Sequence, residues 1–322
     1  MPLGRILVEK FQPELIAWLR ERAEVIDVDP WAAPERWERE APRVDAVISR
    51  KGRITRRHIE ESRGRLKIIA RTGVGVDVSR VDVEAAREHR VWVTNMPGVN
   101  AAAVAELAFA QMIALARHTH AADSAVKANR WAEGPRFQGG ELAGKTIGIV
   151  GMGNIGARVA LRARAFEMAL LVCDPYVPAS HVTALGGRWV GLEELFRESD
   201  FVTLHCPLGK ETHHLVGPSL LALMKSSAFL VNLARGGVVD EDALLQSLRD
   251  KRIAGAAIDV MEAEPPRKDH PLLALDNVLL TPHIGGSTRE AQTRGEWGAA
   301  QEVVRVLQGD RPLNPVVHAE RS

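Results

Sequence analysis

Three residues in the last third of the chain have the side-chain types needed to move a hydride and a proton together. They are Arg235, Glu264 and His283. A histidine can take a proton from a hydroxyl group near neutral pH and return it, and a neighbouring carboxylate orients its ring. An arginine grips a planar carboxylate with two parallel hydrogen bonds, which a lysine cannot do. Each residue alone could be an ordinary surface charge, but the joint pattern predicts acid/base chemistry on a 2-hydroxy acid.

The three residues share one setting in the sequence. Each follows a short apolar run that is typical of a strand, at 228–232, 254–258 and 278–281 respectively. Open parallel α/β sheets bind their ligands outside the carboxyl ends of the strands. We therefore expect the three side chains on loops at one edge of a parallel sheet.

A glycine-rich turn in the middle of the chain predicts a site for a hydride carrier. Gly151, Gly153 and Gly156 follow the β-rich run 146–150 and lead into a helical pattern at 158–166. The first glycine allows a tight turn, the second lets the backbone approach a pyrophosphate, and the third permits close packing of helix and strand. The N-terminus of the helix attracts the phosphate charge. Strand, glycine turn and helix together predict a dinucleotide site.

An acidic residue completes this pattern. A second strand, at 169–173, ends at Asp174, at about the 20-residue distance from the glycines that is typical of the acid on the ribose hydroxyls. A carboxylate there accepts hydrogen bonds from both hydroxyls and repels a 2′-phosphate. No Arg or Lys follows directly, since the next residues are Pro175, Tyr176 and Val177. The sequence therefore predicts NAD rather than NADP.

Taken together, these motifs resemble the D-isomer-specific 2-hydroxyacid dehydrogenase family, over roughly residues 43–307. Three further blocks look like signatures of that family, at 232–237, 257–266 and 281–288. Within the family the chain looks most like the phosphoglycerate dehydrogenases, through residues 70–77, 95–100 and 287–292. The resemblance implies an NAD-dependent oxidoreductase in a short form without a regulatory domain.

The resemblance also implies a role for each matching residue. Arg235 would anchor the substrate, His283 would be the acid/base, and Glu264 would be its partner. Asn154 and Ile155 would contact the pyrophosphate, and Asp259 would lie near the nicotinamide amide. His205 either walls the adenine side or is a packing histidine. The full set of expected cofactor contacts is Val74, Gly151, Gly153, Asn154, Ile155, Gly156, Asp174, His205, Cys206, Pro207, Leu233, Ala234, Asp259, Gly285 and Gly286.

The substrate is less well specified than the chemistry. Expected substrate contacts are Arg50, Arg71, Thr72, Gly73, Gly75 and Asn100, with backbone N–H groups of 72–75 meeting the carboxylate. Lys51, Arg53 and Arg136 are further candidate cations for a phosphate, or else solvated charges. The stretch 49–55 looks one residue shorter than in phosphoglycerate enzymes and has a glycine at Gly52. One alternative is therefore a hydroxypyruvate or glyoxylate reductase, or a dehydrogenase of another small 2-hydroxy acid. A second alternative is a non-enzymatic, NAD-sensing, corepressor-like binding protein.

Composition excludes several other classes of function. The 42 basic and 41 acidic residues give a net charge of +1, which favours neither nucleic acid nor a membrane surface as a partner. The apolar stretch 101–116 is interrupted by Glu106 and Gln111, so it predicts a buried helix rather than a membrane span. The cysteines Cys173 and Cys206 lack the spacing of a metal site or a disulfide framework. The histidine pairs His118 with His120 and His213 with His214 lack the spacing of a metal site as well. We expect a cytoplasmic protein with no metal.

Short strands alternate with helical patterns along the chain, which predicts an α/β protein with two doubly wound parallel sheets, Rossmann-like and flavodoxin-like, and an active-site cleft between them. The substrate domain would be discontinuous, 1–97 plus 288–322, because a last helix at 288–307 returns to it. The NAD-binding domain would be 98–287. Helical segments at 104–117 and 121–131 carry more apolar residues than one domain needs, which predicts a homodimer.

Overall fold

A computed structural model describes residues 2–75 and 80–317 of the chain. The chain divides into two compact units, Met1–Asn100 with Ser287–Ser322, and Ala101–Gly286. The described strands are β1 (Arg5–Val8), β2 (Glu24–Asp27), β3 (Ala46–Ser49), β4 (Ile68–Arg71), β5 (Trp92–Thr94), β6 (Thr146–Val150), β7 (Ala169–Cys173), β8 (Arg188–Trp189), β9 (Phe201–Leu204), β10 (Phe229–Asn232), β11 (Gly255–Ile258), β12 (Val278–Leu280) and β13 (Pro315–Val317).

The described α-helices connect these strands. They are α1 (Pro13–Arg20), α2 (Pro34–Glu40), α3 (Arg56–Glu61), α4 (Val83–Glu88), α5 (Ala101–Arg117), α6 (Thr119–Lys127), α7 (Asn154–Ala165), α8 (Ala179–Ala184), α9 (Leu192–Glu198), α10 (Pro218–Leu221), α11 (Glu241–Arg249) and α12 (Arg289–Leu307). Short 3₁₀ segments lie at Ala41–Arg43, Trp131–Phe137, Gly236–Val238 and Pro271–Ala274. Within residues 2–75 and 80–317, no helix combines the length and apolarity that a membrane crossing needs.

The first unit is built on a six-stranded sheet in the order β13-β5-β4-β3-β1-β2. All neighbours are parallel except β13, which runs antiparallel to β5. Successive side chains of a strand point to opposite faces. In β1, Ile6 and Val8 therefore pack with α1 and α12 on one side, whereas Leu7 packs with Trp37 and Ile59 on the other. The parallel order 2-1-3-4-5 is that of a flavodoxin-like doubly wound sheet.

The second unit has a parallel, seven-stranded sheet in the order β12-β11-β10-β9-β6-β7-β8. Counted from β6, this is the 3-2-1-4-5-6 order of a dinucleotide-binding fold with one strand added. Apolar side chains cover both faces in two separate clusters, one that includes α5 and α7 and another that includes α9 and α11. The strand order reverses between β6 and β9, which marks the expected ligand position. The predicted fold class of two doubly wound α/β sheets is confirmed.

Most predicted strands and helices lie within a few residues of their observed bounds, but helices α2 and α8 to α11 and strands β8 and β13 were not predicted. Helix α2 lies in a stretch that mixes acidic and basic residues. It forms because Trp37, 2% exposed, anchors it to the core and donates from Nε1 to Arg53 O at 3.0 Å. Strands β8 and β13 have only two and three residues, too short for a periodic signal. Helix α6 also ends at Lys127, earlier than predicted.

Candidate active site

Sheet register brings the loops of the three catalytic candidates to one edge of the second unit. Asn232 at the end of β10 is aligned with Ile258 at the end of β11, which is aligned with Leu280 at the end of β12. Arg235, Glu264 and His283 lie on the loops that follow these strand ends. The structure therefore places all three loops at the carboxyl edge that the sequence predicted.

His283 and Glu264 form a hydrogen-bonded pair. The Nδ1 atom of the histidine donates to Oε2 of the glutamate at 2.7 Å, and both side chains are partly exposed. The second carboxylate oxygen, Oε1, accepts from the backbone N–H of Met261 at 3.1 Å. The pair fixes the ring and leaves Nε2 as the nitrogen that can exchange a proton with a substrate. This is the arrangement of an acid/base histidine with an orienting carboxylate.

The backbone at His283 adopts an unusual conformation that positions this ring. Its φ angle is +53°, in the left-handed region that residues other than glycine rarely occupy. Its N–H donates to Asp259 O at 2.8 Å and to Thr281 O at 3.0 Å, which holds this conformation. Backbone strain of this kind costs about 1–3 kcal/mol and concentrates at functional sites. The loop therefore stores strain at the residue to which the chemistry is assigned.

Asp259 organises the histidine loop. It is 3% exposed, and its Oδ1 accepts from Thr281 Oγ1 at 2.5 Å and from Ile284 N at 2.9 Å, whereas Oδ2 accepts from Gly285 N at 2.8 Å. A Cβ atom at Gly285 would lie 3.0 Å from Oδ2, so glycine permits this close approach. The contact of Asp259 with a nicotinamide amide stays a prediction. What the structure adds is a positioning role for this carboxylate.

The loop of Arg235 is held next to the loop that leads to Glu264. Asn232 is buried, accepts from Ala234 N at 3.0 Å and donates to Arg235 O at 3.0 Å, which closes the turn. A Cβ atom at Gly236 would lie 2.0 Å from the backbone carbon of Met261, so only glycine fits there. Arg235 itself is exposed and donates from Nη1 to Ala234 O at 2.6 Å. These contacts present an exposed guanidinium beside the loop of the His283–Glu264 pair.

The glycine turn has the geometry of a phosphate cradle. Gly151 has a φ angle of +91°, and a Cβ atom at Gly156 would lie 2.1 Å from Gly151 O, so both positions need glycine. Apart from Gly153 itself and its two chain neighbours, no described residue has an atom within 4 Å of the position that a Cβ atom would take there. Helix α7 begins at the exposed Asn154, with Ile155 next to it. The uncovered backbone and the helix N-terminus fit a pyrophosphate.

Asp174 connects this turn to a cavity of about 630 Å³. Its Oδ2 accepts from Met152 N at 2.6 Å and its Oδ1 from Tyr176 N at 2.8 Å. The cavity is lined mainly by apolar and glycine residues, including Gly151, Gly153, Tyr176, His205, Cys206 and Pro207. Ligand cavities of this size are typical of small-molecule and cofactor sites. The turn, the acid and the cavity therefore fit the adenosine and phosphate parts of NAD.

Two side chains in the wall of this cavity, His205 and Cys206, are uncharged near neutral pH. Burial lowers the pKa of His205 to about 3 and raises the pKa of Cys206 to about 11, because both charged forms lose their hydration. His205 Nε2 lies 2.9 Å from Thr203 Oγ1. A neutral imidazole and a neutral thiol suit the uncharged face of an adenine ring.

The low pKa of His205 predicts a pH dependence of stability. The unfolded chain binds a proton at this histidine below the ordinary value of 6.5, whereas the folded protein does not until about pH 3. Because the unfolded state then holds more protons, the free energy of unfolding falls as the pH drops through this window, by at most about 1.4 kcal/mol per pH unit. The free energy of unfolding, measured in urea at pH 7, 6 and 5, tests this prediction. His205→Gln should flatten the dependence, and the exposed His181→Gln should leave it unchanged.

With this geometry established, comparison with known proteins decides the family. Residues 109–285 match the model of the D-isomer specific 2-hydroxyacid dehydrogenase, NAD binding domain. The chain belongs to that family. Its second unit is therefore an NAD-binding domain, and the predicted cofactor, NAD, is confirmed.

Individual relatives agree with this assignment. A D-3-phosphoglycerate dehydrogenase of Methanocaldococcus jannaschii is 44% identical over 273 residues, 84% of this chain and 51% of the relative. A hydroxypyruvate reductase of Thermotoga maritima is 44% identical over 255 residues, 79% of this chain and 81% of the relative. The crystal structure of the TT0316 protein from Thermus thermophilus is 38% identical, with a TM-score of 0.86 over 97% of this chain and 100% of that one. The chain spans about half the length of several phosphoglycerate dehydrogenases that it matches.

The expected substrate contacts all fall in the first unit. Arg71 is 5% exposed and donates to Ser49 Oγ, Gly52 O and Arg50 O, so its guanidinium braces the loop after β3. Its contact with a substrate stays a prediction. Thr72 is buried as well, and Gly73 O accepts from Met96 N. Gly75 is exposed, Val74 is 36% exposed, and Asn100 is partly buried. Val76 and Asp77, at the end of the 70–77 motif, lie outside the described residues.

The sequence alone assigned no role to two supporting residues, Gln111 and Thr281. Gln111, on α5, is 1% exposed and donates from Nε2 to Thr281 Oγ1 at 3.0 Å, and that hydroxyl in turn donates to Asp259. The signal was available, because Gln111 interrupts an otherwise apolar helix and a buried amide needs a partner. Leu233, one of the expected cofactor contacts, lies 3.6 Å from the position that a Cβ atom would take at Gly285. In the described part of the chain, no group of His, Cys, Asp or Glu could hold a metal ion.

Proposed function

We propose that this protein is an NAD-dependent dehydrogenase that moves a hydride reversibly between NAD and C2 of a small 2-hydroxy acid. The observation that carries the proposal is the 2.7 Å hydrogen bond between His283 and Glu264. It lies at the carboxyl edge of the sheet that carries the glycine turn. A histidine fixed in this way has the geometry of an acid/base, and family membership supplies the reaction class. The second unit would bind the cofactor, and the first unit would bind the substrate.

Each residue of the site then has a defined task. The glycine turn and Asp174 would hold NAD, which would supply the hydride chemistry at C2 in either direction. His283 Nε2 takes the proton of the 2-hydroxyl group as the hydride leaves, and Glu264 stabilises the resulting imidazolium through Nδ1. Arg235 holds the substrate carboxylate with its planar guanidinium. Asp259 keeps the histidine loop in place, so that no loop reorganisation accompanies the proton transfer.

Two substrate classes remain within this proposal, because the relatives include both a phosphoglycerate dehydrogenase and a hydroxypyruvate reductase. The direct test of the reaction is the loss of NADH absorbance with purified protein and a panel of 2-keto acids. Turnover of at least one of them is expected. A protein that binds NADH but reduces none of them would instead be an NAD-sensing, corepressor-like protein on the same scaffold.

We also propose that the protein is a cytoplasmic homodimer. Both cysteines are free, which suits a reducing compartment. Val126, on α6, is 50% exposed, and Trp131, four residues after the end of α6, is 80% exposed. These apolar side chains are exposed in the segment that the sequence predicts to form a dimer interface. Size-exclusion chromatography with light scattering is expected to give twice the chain mass of 35.2 kDa. The mass of a single chain at micromolar concentration would contradict the dimer. Trp131→Lys should shift the measured mass towards that of a single chain.

A further inference from the structure

The loop that carries Glu264 is anchored to a neighbouring helix of the second unit. The backbone N–H of Glu262, two residues before Glu264, donates to Glu241 Oε1 at 2.8 Å. Glu241 is the first residue of α11, and its side chain is 15% exposed. Helix α11 is fixed in turn, because Asp240 caps its N-terminus and Leu244 is buried in the core. The loop is therefore tied to a rigid element.

A histidine orients the carboxylate of Glu241. Nε2 of His270 lies 3.3 Å from Glu241 Oε2, and the two side chains are 18% and 15% exposed. Nδ1 of the same ring is buried, and among the described residues it has no hydrogen-bond partner. A neutral ring with its proton on Nε2 fits both facts, because a buried N–H without an acceptor is costly. Each oxygen of Glu241 thus faces a donor, which defines the direction of the side chain.

A second contact joins the same loop to the loop of Arg235. His214 Nε2 lies 2.7 Å from Glu262 Oε1. The backbone N–H of His214 donates to the carbonyl of Gly237, two residues after Arg235, at 2.8 Å. The side chains of His214 and Glu262 are 39% and 38% exposed, so solvent screens this pair and its contribution is modest. The better buried Glu241 is therefore the main anchor of the loop.

We infer that Glu241 is a positioning residue, which keeps Glu264 within hydrogen-bonding reach of His283. It does so by holding the backbone of Glu262. The inference rests on the proposed function and adds a residue that acts through Glu264. The carboxylate of Glu264 accepts one bond from Met261 N, within its own loop, and one from the His283 ring. A shift of the loop by about 1 Å would break the bond to the ring, and misplacement on this scale can cost about a hundredfold in rate.

The experiment starts from three substitutions of Glu241, measured with NADH and a 2-keto acid that the wild type reduces. Glu241→Ala should lower kcat by about tenfold or more and leave KM for NADH within about twofold, because the glycine turn is untouched. Glu241→Asp keeps the charge that suits a helix N-terminus but is one methylene group shorter, so it should fold and show a similar loss. Glu241→Gln keeps an acceptor oxygen at the same length and should retain kcat within about threefold. The matched control is Asp242→Ala, at the exposed next position of α11, which should have wild-type kcat.

A double mutant separates positioning from a general loss of stability. In a Glu264→Ala background, Glu241→Ala should lower kcat by less than about twofold further, because no carboxylate remains to be positioned. A loss of the same size in both backgrounds would overturn the inference. Wild-type kcat in both Glu241→Ala and Glu241→Asp would overturn it as well.

Hydrogen exchange tests the anchor without turnover. The N–H of Glu262 is protected by its bond to Glu241, so this amide should exchange about tenfold faster in Glu241→Ala and at the wild-type rate in Asp242→Ala. Mass spectrometry of peptides that span 259–266 gives the rates. Unchanged exchange in Glu241→Ala overturns the inference and leaves the dehydrogenase reaction standing. A wild-type protein that reduces no 2-keto acid overturns the proposed function, and the exchange rates then decide whether Glu241 holds the loop.

Discussion

Replacing His283 by glutamine is expected to lower kcat by about 10²–10⁴-fold, the usual contribution of a positioned acid/base group. Glutamine keeps a polar side chain of similar length, but it cannot exchange a proton with the substrate. The affinity for NADH should stay within about twofold, because the loss concerns a transition-state interaction. Steady-state turnover at saturating NADH measures the first quantity, and NADH fluorescence titration measures the second.

The control for this variant is His181→Gln, an exposed histidine of the same unit on α8. It should retain wild-type turnover and NADH binding. If His283→Gln turned over as fast as the wild type, the histidine would have no role in proton transfer and the proposed mechanism would be wrong. A variant that lost NADH binding together with turnover would point to a collapsed loop, and thermal melting distinguishes that case.

Replacing Arg235 by glutamine should lower kcat/KM by about 10²–10³-fold, because removing one partner of a hydrogen-bonded charge pair costs about 2–5 kcal/mol. Arg235→Lys should recover only part of this loss, since an ammonium group lacks the planar fork that fits a carboxylate. Kinetics over a range of 2-keto acid concentrations at fixed NADH give the numbers.

The matched control for the arginine is Arg249→Gln, an exposed position at the end of α11. Its kcat/KM should equal that of the wild type. Full activity of Arg235→Gln would show that another group holds the substrate carboxylate. Equal activity of the lysine and wild-type forms would show that charge alone suffices at this position.

The catalytic loops could be predicted from sequence because their signals are local. Short apolar runs ended directly before Arg235 and His283, and parallel strands place such ends at one edge. The glycine turn was equally clear, because the need for glycine at Gly151 and Gly156 follows from the backbone itself. In both cases a few adjacent residues are enough to explain why the site lies there.

The supporting contacts could not be predicted in the same way, because they join residues far apart in the chain. Nothing in the sequence around Glu9 shows that its carboxylate fills a nest formed by residues 50–52, and nothing around Glu296 shows its pairing with Arg50. The glycine at Gly52 looked like a departure from a family pattern. The structure explains it, since a Cβ atom there would lie 2.2 Å from the Trp37 ring. Long-range packing, rather than local propensity, decides such positions.

The most direct test of the central claim is transfer of deuterium from NADH labelled at C4 to C2 of the product formed from hydroxypyruvate. Mass spectrometry and chiral chromatography of the product are the readouts. We expect deuterium at C2 of the D-isomer with the wild-type protein, and formation of the same labelled product about 10²–10⁴-fold more slowly with His283→Gln. Binding of labelled NADH without deuterium in the product of any 2-keto acid would contradict the dehydrogenase account and favour a protein that senses NAD without turning it over.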